Sequence, residues 1–175
     1  QPRFRPDRLI VLINRCSTAL YSGMVPALIA GIDPPEAAAI DLRSLCDQAD
    51  VAFVQAEITG LDPIQRCLVL ANRPPLHFGL LSLDVGAISR PSAEGMAIKP
   101  LEPALAFIAS EDPNSTTPFT VVGAGAAAIE MVLALRCRWP QRPLRLQTRA
   151  KGPGALERRI LSEASIDLFT SPGPT

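Results

Sequence analysis

The sequence predicts an α/β fold in which short buried strands alternate with helices, with an antiparallel meander set between them. Three observations predict it. Residues 8–14 (RLIVLIN), 119–122 (FTVV) and 144–148 (LRLQT) are short apolar runs rich in Val, Ile and Leu, bounded by turn residues, as strands buried in a parallel sheet are. Residues 119–138 read as an apolar strand, a Gly-containing turn and an apolar helix in direct succession. The chain has 175 residues, 47% of them apolar, enough core for one ordinary domain or two small half-domains.

In chain order, the run at 8–14 is the first strand. Residues 16–32 are broken by Ser, Gly and Pro and read as a loop. Asp33-Pro34-Pro35-Glu36 combines a capping residue, prolines at the helix entry and a capping-box acid, which predicts a helix to about Gln48. Residues 51–61 read as a strand, 66–71 as its antiparallel return and 78–85 (FGLLSLDV) as another buried strand. Residues 88–95 are loop, and 100–109 (PLEPALAFIA) are helical. Residues 111–118 (EDPNSTTP) crowd Pro, Asn, Ser and Thr together and read as a linker. After it come strand 119–122, turn 123–125, helix 126–138, strand 144–148 and helix 155–164, whose apolar positions are Leu156, Ile160, Leu161 and Ala164. Residues 170–175 are expected to fray.

Lys and Arg number 17, as do Asp and Glu, so the chain lacks the basic excess of a nucleic-acid binder and offers no basic patch to anionic lipid. Cys16, Cys46, Cys67 and Cys137 are scattered singly and His77 is the sole histidine. That pattern excludes a zinc site of ordinary spacing and a thioredoxin-like pair, and suits reduced, buried thiols in a cytoplasmic protein. Phe119 to Leu135 is apolar but short, with Gly123 and Gly125 near its start and Glu130 in its second half. It reads as a strand and a packed helix, not a transmembrane segment, which needs about 20 apolar residues. His77 has no partner motif and reads as a structural or surface residue; Lys99, in a loop before Pro100, is either a plain surface residue or a flavin or nicotinamide contact.

The chemistry lies in Val121 to Glu130 (VVGAGAAAIE), which fits G-x-G-x-x-A-x-E between a strand and a helix. Gly123 permits the sharp turn, Gly125 lets a pyrophosphate approach the backbone, and Ala128 lets helix and strand pack closely. With Ala124 between the glycines, the free N–H groups of the first helical turn face the phosphates. This is a dinucleotide-binding turn in its required context; the bland reading is a Gly/Ala-rich turn that only packs tightly. The second strand ends Gln147-Thr148-Arg149, without the acid that usually takes the ribose hydroxyls of NAD. Arg149 is either a contact for the 2′-phosphate of NADP or a solvated surface residue.

Five segments resemble the FAD-dependent pyridine nucleotide oxidoreductases. They are Tyr21 to Pro26 (YSGMVP), Ile40 to Leu45 (IDLRSL), Val54 to Asp62 (VQAEITGLD), Leu81 to Gly86 (LSLDVG) and Val121 to Glu130. The likeness is to the type II NADH dehydrogenase-like branch, and within it to the flavoprotein domain fused ahead of selenide, water dikinase in cyanobacteria. The resemblance implies a partial FAD-binding Rossmann-like fold with an antiparallel meander at 1–110, a linker at 111–118, and a partial NAD(P)-binding Rossmann-like fold at 119–175. It places Ser22 and Gly23 by the flavin, Val54 on the adenine through its backbone, and Asp84 and Gly86 near the FAD phosphates. Gly123, Gly125 and Ala128 would bind NAD(P)H, with Glu130 near the nicotinamide end. Hydride would pass from NAD(P)H to FAD and electrons on to a quinone or other acceptor, with no acid–base residue required. The lack of C-x-x-C separates the chain from the disulfide reductases.

The family's own opening strand and G-x-G-x-x-G turn for FAD are missing, and so are the returning FAD segment and the C-terminal domain. The chain therefore reads as truncated at both ends and is expected to bind FAD poorly alone. Uncovered apolar faces would favour homo-oligomers, and the intact enzyme would sit on a membrane surface. A second reading is a non-catalytic, degenerate flavoprotein module for association or for partnering a fused kinase domain. A third is another Rossmann-type enzyme, such as a methyltransferase using the same glycine turn.

Overall fold

The computed structural model describes residues 8–87, 95–148 and 152–170. By internal contacts the chain divides into two units, Gln1–Tyr21 with Ala39–Gly86, and Ser22–Ala38 with Ala87–Thr175.

In the first unit, β1 (Val11–Asn14) pairs in parallel with β4 (Ala52–Gln55), Val11 opposite Ala52 and Asn14 opposite Gln55. β2 (Thr18–Leu20) pairs antiparallel with β3 (Ala39–Asp41). Helix α2 is Leu42–Ala49, and the helix read over 33–48 starts only there. Ile40 is held in the ladder opposite Ala19, and the carboxylate that caps the helix is that of Asp41, accepting from the amides of Arg43 (2.9 Å) and Ser44 (3.3 Å). Asp33 is not the cap; Pro35–Ala38 form a short 3-10 turn. Asp41→Ala is expected to destabilise the first unit by about 1 kcal/mol, the usual cost of losing an N-cap, read as a lowered urea midpoint with unchanged m-value.

The strand read at 51–61 is two strands. After Gln55 the chain leaves β1, and β5 (Ile58–Asp62) opens the meander, pairing antiparallel with β6 (Cys67–Leu70), which pairs with β7 (Leu76–His77). Ala56, Leu68 and Leu70 are buried, with Ile13, Val54 and Leu76 packed against them. The buried strand expected at 78–85 does not form. Leu80 is 86% and Val85 81% exposed, and no described segment offers these residues a ladder.

The second unit contains a helix the sequence reading took for loop, α1 (Val25–Ala30), with Pro26 in its first turn and Gly31 closing it in the left-handed region. Helix α3 is Leu101–Ser110 and β8 is Phe119–Val122. Helix α4 is Ala126–Arg138, β9 is Leu144–Thr148 and α5 is Ala155–Glu163. A strand that the sequence reading missed, β10 (Ile166–Thr170), follows and pairs in parallel with β9. The sheet order is β10-β9-β8, the strand order of one half of a doubly wound nucleotide-binding sheet. Val132, Leu135, Leu144, Leu146 and Leu161 fill its core. Of the apolar positions expected to bury α5, only Leu161 is fully covered; Leu156 is exposed. Residues 171–175, read as a fraying end, lie outside the described residues.

The guanidinium of Arg136 closes the C-terminal end of α4. It donates to the carbonyls of Ala164 (2.9 Å), Pro140 (2.9 Å), Arg142 (2.9 Å) and Ser165 (2.8 Å). One cation thus satisfies the loop that precedes β9 and the turn that follows α5, and complements the helix dipole. Cys46 and Cys67 are buried as expected, whereas Cys16 and Cys137 are exposed, which corrects the reading of all four as buried.

Candidate dinucleotide site

The Gly123 turn joins β8 to α4. The amide of Gly123 donates to the Gln147 carbonyl (2.9 Å), so the chain stays in the sheet up to the turn itself. A Cβ on Gly123 would stand 2.7 Å from the Cβ of Ala128, closer than packed carbons approach, so strand end and helix meet here because both residues are small. Gly125 differs: a Cβ there would meet nothing within 4 Å. That leaves open space over the backbone, on the exposed side of the turn.

Gly125 is also the N-cap of α4 and provides no side-chain cap. Its carbonyl accepts from Ala128 (3.0 Å), but Ala126 and Ala127 lie in the first helical turn, where amides have no intrahelical acceptor. These exposed residues present N–H donors and the positive end of the dipole to solvent, as an anion site requires. An open cleft of about 320 Å³ adjoins them, lined by Ala124, Ala126, Glu130, Gly152, Gly154 and Glu157 among others. The volume lies at the lower end of the range for small-molecule sites. The residues therefore fit a pyrophosphate: a flush backbone, unsatisfied amides and an adjoining cleft.

The structure brings Gly123, Ala124, Gly125, Ala128 and Glu130 together at this turn, with Glu130 on the cleft wall. Gly152, Gly154 and Glu157 were missed by sequence reasoning. Their only signal was position, in the connection that follows the second strand. Arg149 lies outside the described residues. Ser22 and Gly23 sit exposed in a 3-10 turn (Ser22–Met24) of the second unit. Val54, half-buried in β4, and Asp84 and Gly86, exposed, belong to the first unit. His77 is exposed, its Nδ1 3.4 Å from the Gln65 carbonyl. Among the described residues no group of His, Cys, Asp and Glu is placed to hold a metal, and no helix is long and apolar enough to cross a membrane.

No family model matches the sequence, and no curated protein is significantly similar to it. Solved structures do share its fold. NADH:rubredoxin oxidoreductase from Clostridium acetobutylicum matches with a TM-score of 0.61 and 15% identity over 92% of this chain and 46% of its own. NDH2 from Plasmodium falciparum, solved in complex with NADH, matches with a TM-score of 0.66 and 12% identity over 93% of this chain and 43% of its own. An engineered water-forming NADPH oxidase, solved bound to NADPH, matches with a TM-score of 0.67 and 15% identity over 94% of this chain and 41% of its own. The chain thus has the α/β, Rossmann-like fold of these oxidoreductases and spans less than half the length of each.

Proposed function

We propose that this chain is part of a flavin-dependent NAD(P)H dehydrogenase-like oxidoreductase, and that its second unit holds the nicotinamide dinucleotide. The observation that carries the proposal is the Gly123 turn, with a flush backbone at Gly125, open amides at Ala126 and Ala127, and a cleft beside them. The fold shared with structures solved with NADH and NADPH supports it.

When bound, NAD(P)H would supply a hydride to FAD, and the electrons would pass on to a quinone or another acceptor. The chain's own residues bind and orient. The amides of Ala126 and Ala127 would donate to the pyrophosphate, and Gly125 would admit it. By the resemblance, Glu130 would lie near the nicotinamide end. On the flavin side, the resemblance assigns Ser22 and Gly23 to the isoalloxazine, the Val54 backbone to the adenine, and Asp84 and Gly86 to the phosphates.

The test is a titration of the purified chain with NADH and with NADPH, followed by calorimetry or nicotinamide fluorescence. The wild-type chain is expected to bind at least one of them at submillimolar concentration. Gly125→Val places a branched side chain where the pyrophosphate approaches, and is expected to weaken binding at least about tenfold, since removal of charge-assisted bonds costs that much. Its melting temperature should stay close to wild type. No binding of either nucleotide at millimolar concentration overturns the proposal.

A further inference from the structure

Resting on that reading of the cleft, we infer that Arg158 reads the 2′-phosphate of the adenine ribose, so that the site takes NADPH in preference to NADH. A Rossmann-type site distinguishes the two nucleotides at the end of its second strand, where a carboxylate accepts from the ribose hydroxyls or an arginine meets the phosphate. Here that strand is β9, and it ends at Thr148. The Thr148 side chain is 1% exposed and donates its hydroxyl to the Phe169 carbonyl (3.3 Å). It is neither a carboxylate nor free to reach a ligand.

The cation at this place comes from α5. The Nε of Arg158 donates to the Pro153 carbonyl (2.8 Å), which fixes the guanidinium against the connection after β9. Its Nη2 lies 3.3 Å from where a Gly152 Cβ would stand, and the Thr148 Oγ1 lies 3.6 Å from the same point. Gly152 lines the cleft. The guanidinium therefore sits beside the strand end with one nitrogen used for anchoring. Its two amino groups make no ion pair or hydrogen bond to other described residues and have the fork geometry suited to a phosphate.

Two carboxylates line the cleft, Glu130 and Glu157; Glu130 is the residue given to the nicotinamide end, so the one that opposes this assignment is Glu157. Glu157 lines the cleft, but its Oε2 stands 2.5 Å from where a Cβ on Gly154 would be. That places it over the start of α5, where the dipole favours a negative charge. It serves the helix end, and the lack of any acid on β9 leaves the ribose hydroxyls of NADH without their usual acceptor.

The experiment compares dissociation constants of the full chain for NADPH, NADH, 2′,5′-ADP and 5′-AMP. NADPH is expected to bind about tenfold or more tightly than NADH, and 2′,5′-ADP more tightly than 5′-AMP by a similar factor. Arg158→Gln should remove most of both preferences while leaving NADH affinity within about twofold, and Arg158→Lys should retain part of them. Tighter or equal binding of NADH overturns the inference, as does an equal loss of both nucleotides in Arg158→Gln, which marks a purely structural anchor. Weaker NADH binding in Glu157→Gln would assign the ribose to Glu157 and overturn it as well. Binding of neither nucleotide overturns the dinucleotide reading itself, and this inference with it.

Discussion

Gly123→Ala is expected to lower the stability of the second unit by about 1–3 kcal/mol, the usual cost of overpacking, and to weaken NAD(P)H binding by more than tenfold. The added methyl would stand 2.7 Å from the Ala128 Cβ. Both atoms are fixed to backbone, so neither can swing away as a long side chain can. The strand cannot yield easily either, because the Gly123 amide is bonded to the Gln147 carbonyl at 2.9 Å. The start of α4 must therefore move off the end of β8, and the open amides of Ala126 and Ala127 move with it. Gly125→Val does the opposite: the fold has room for the side chain and the ligand does not. The two variants thus separate packing from recognition. Urea denaturation and nucleotide titration should show both properties lost at Gly123 and only binding lost at Gly125. If the methyl contact is the cause, Ala128→Gly should restore much of the stability of Gly123→Ala, a coupling that independent sites would lack. A Gly123→Ala protein with unchanged stability and affinity would remove the close-packing role given to this turn.

The glycine turn was legible because its causes are local. A strand, two glycines, a small residue and a helix follow each other within one short stretch, and each has a steric or hydrogen-bonding reason to be there. The rest of the cleft wall was not, because Gly152, Gly154 and Glu157 reach it only through the parallel pairing of β8 and β9. Local signals also competed. Asp33-Pro34-Pro35-Glu36 has every feature of a helix start, yet the segment after it is committed to a strand with β2, and Asp41 caps instead. The converse error hid α1: Ser22, Gly23 and Pro26 suggested a loop, although Pro26 in a first turn and Gly31 just past the end are the marks of a short helix. At 78–85 the apolar run was real, but a strand needs a partner, and none is present among the described residues. β10 was passed over because its alternation, with Ile166 buried and Asp167 exposed, comes after a chain reversal at Ser165, which has φ of 53°.

The largest stability effect is expected at Arg142, a residue with no sequence signature. It is 4% exposed, and its guanidinium packs over two neighbouring rings, 5.2 Å from the Phe119 centroid and 4.6 Å from that of Trp139. Nη2 donates to Glu111 Oε2 at 2.6 Å and Nη1 to the Asp112 carbonyl at 3.1 Å, while Nε reaches the Thr117 carbonyl at 3.5 Å. The segment from Glu111 to Pro118, whose composition suggested a slack linker, is therefore fastened to the first residue of β8 and to the end of α4. Arg142→Ala deletes the cation and its stacking together and leaves the Glu111 carboxylate, itself three-quarters covered, without its counter-charge. Breaking one side of such a pair costs about 3–5 kcal/mol, most of it from the stranded partner. Glu111→Gln should cost less, about 1 kcal/mol, since a neutral amide still accepts from the guanidinium. The double variant Arg142→Met with Glu111→Leu should recover much of the loss, because an apolar pair of similar volume often replaces a buried ion pair without penalty. Salt should alter these differences little, as burial shields the pair from screening. Urea midpoints of the wild type and the three variants check the order. An Arg142→Ala protein as stable as wild type would mean that the 111–118 segment is free in solution, and that the sheet needs no fastening at this edge.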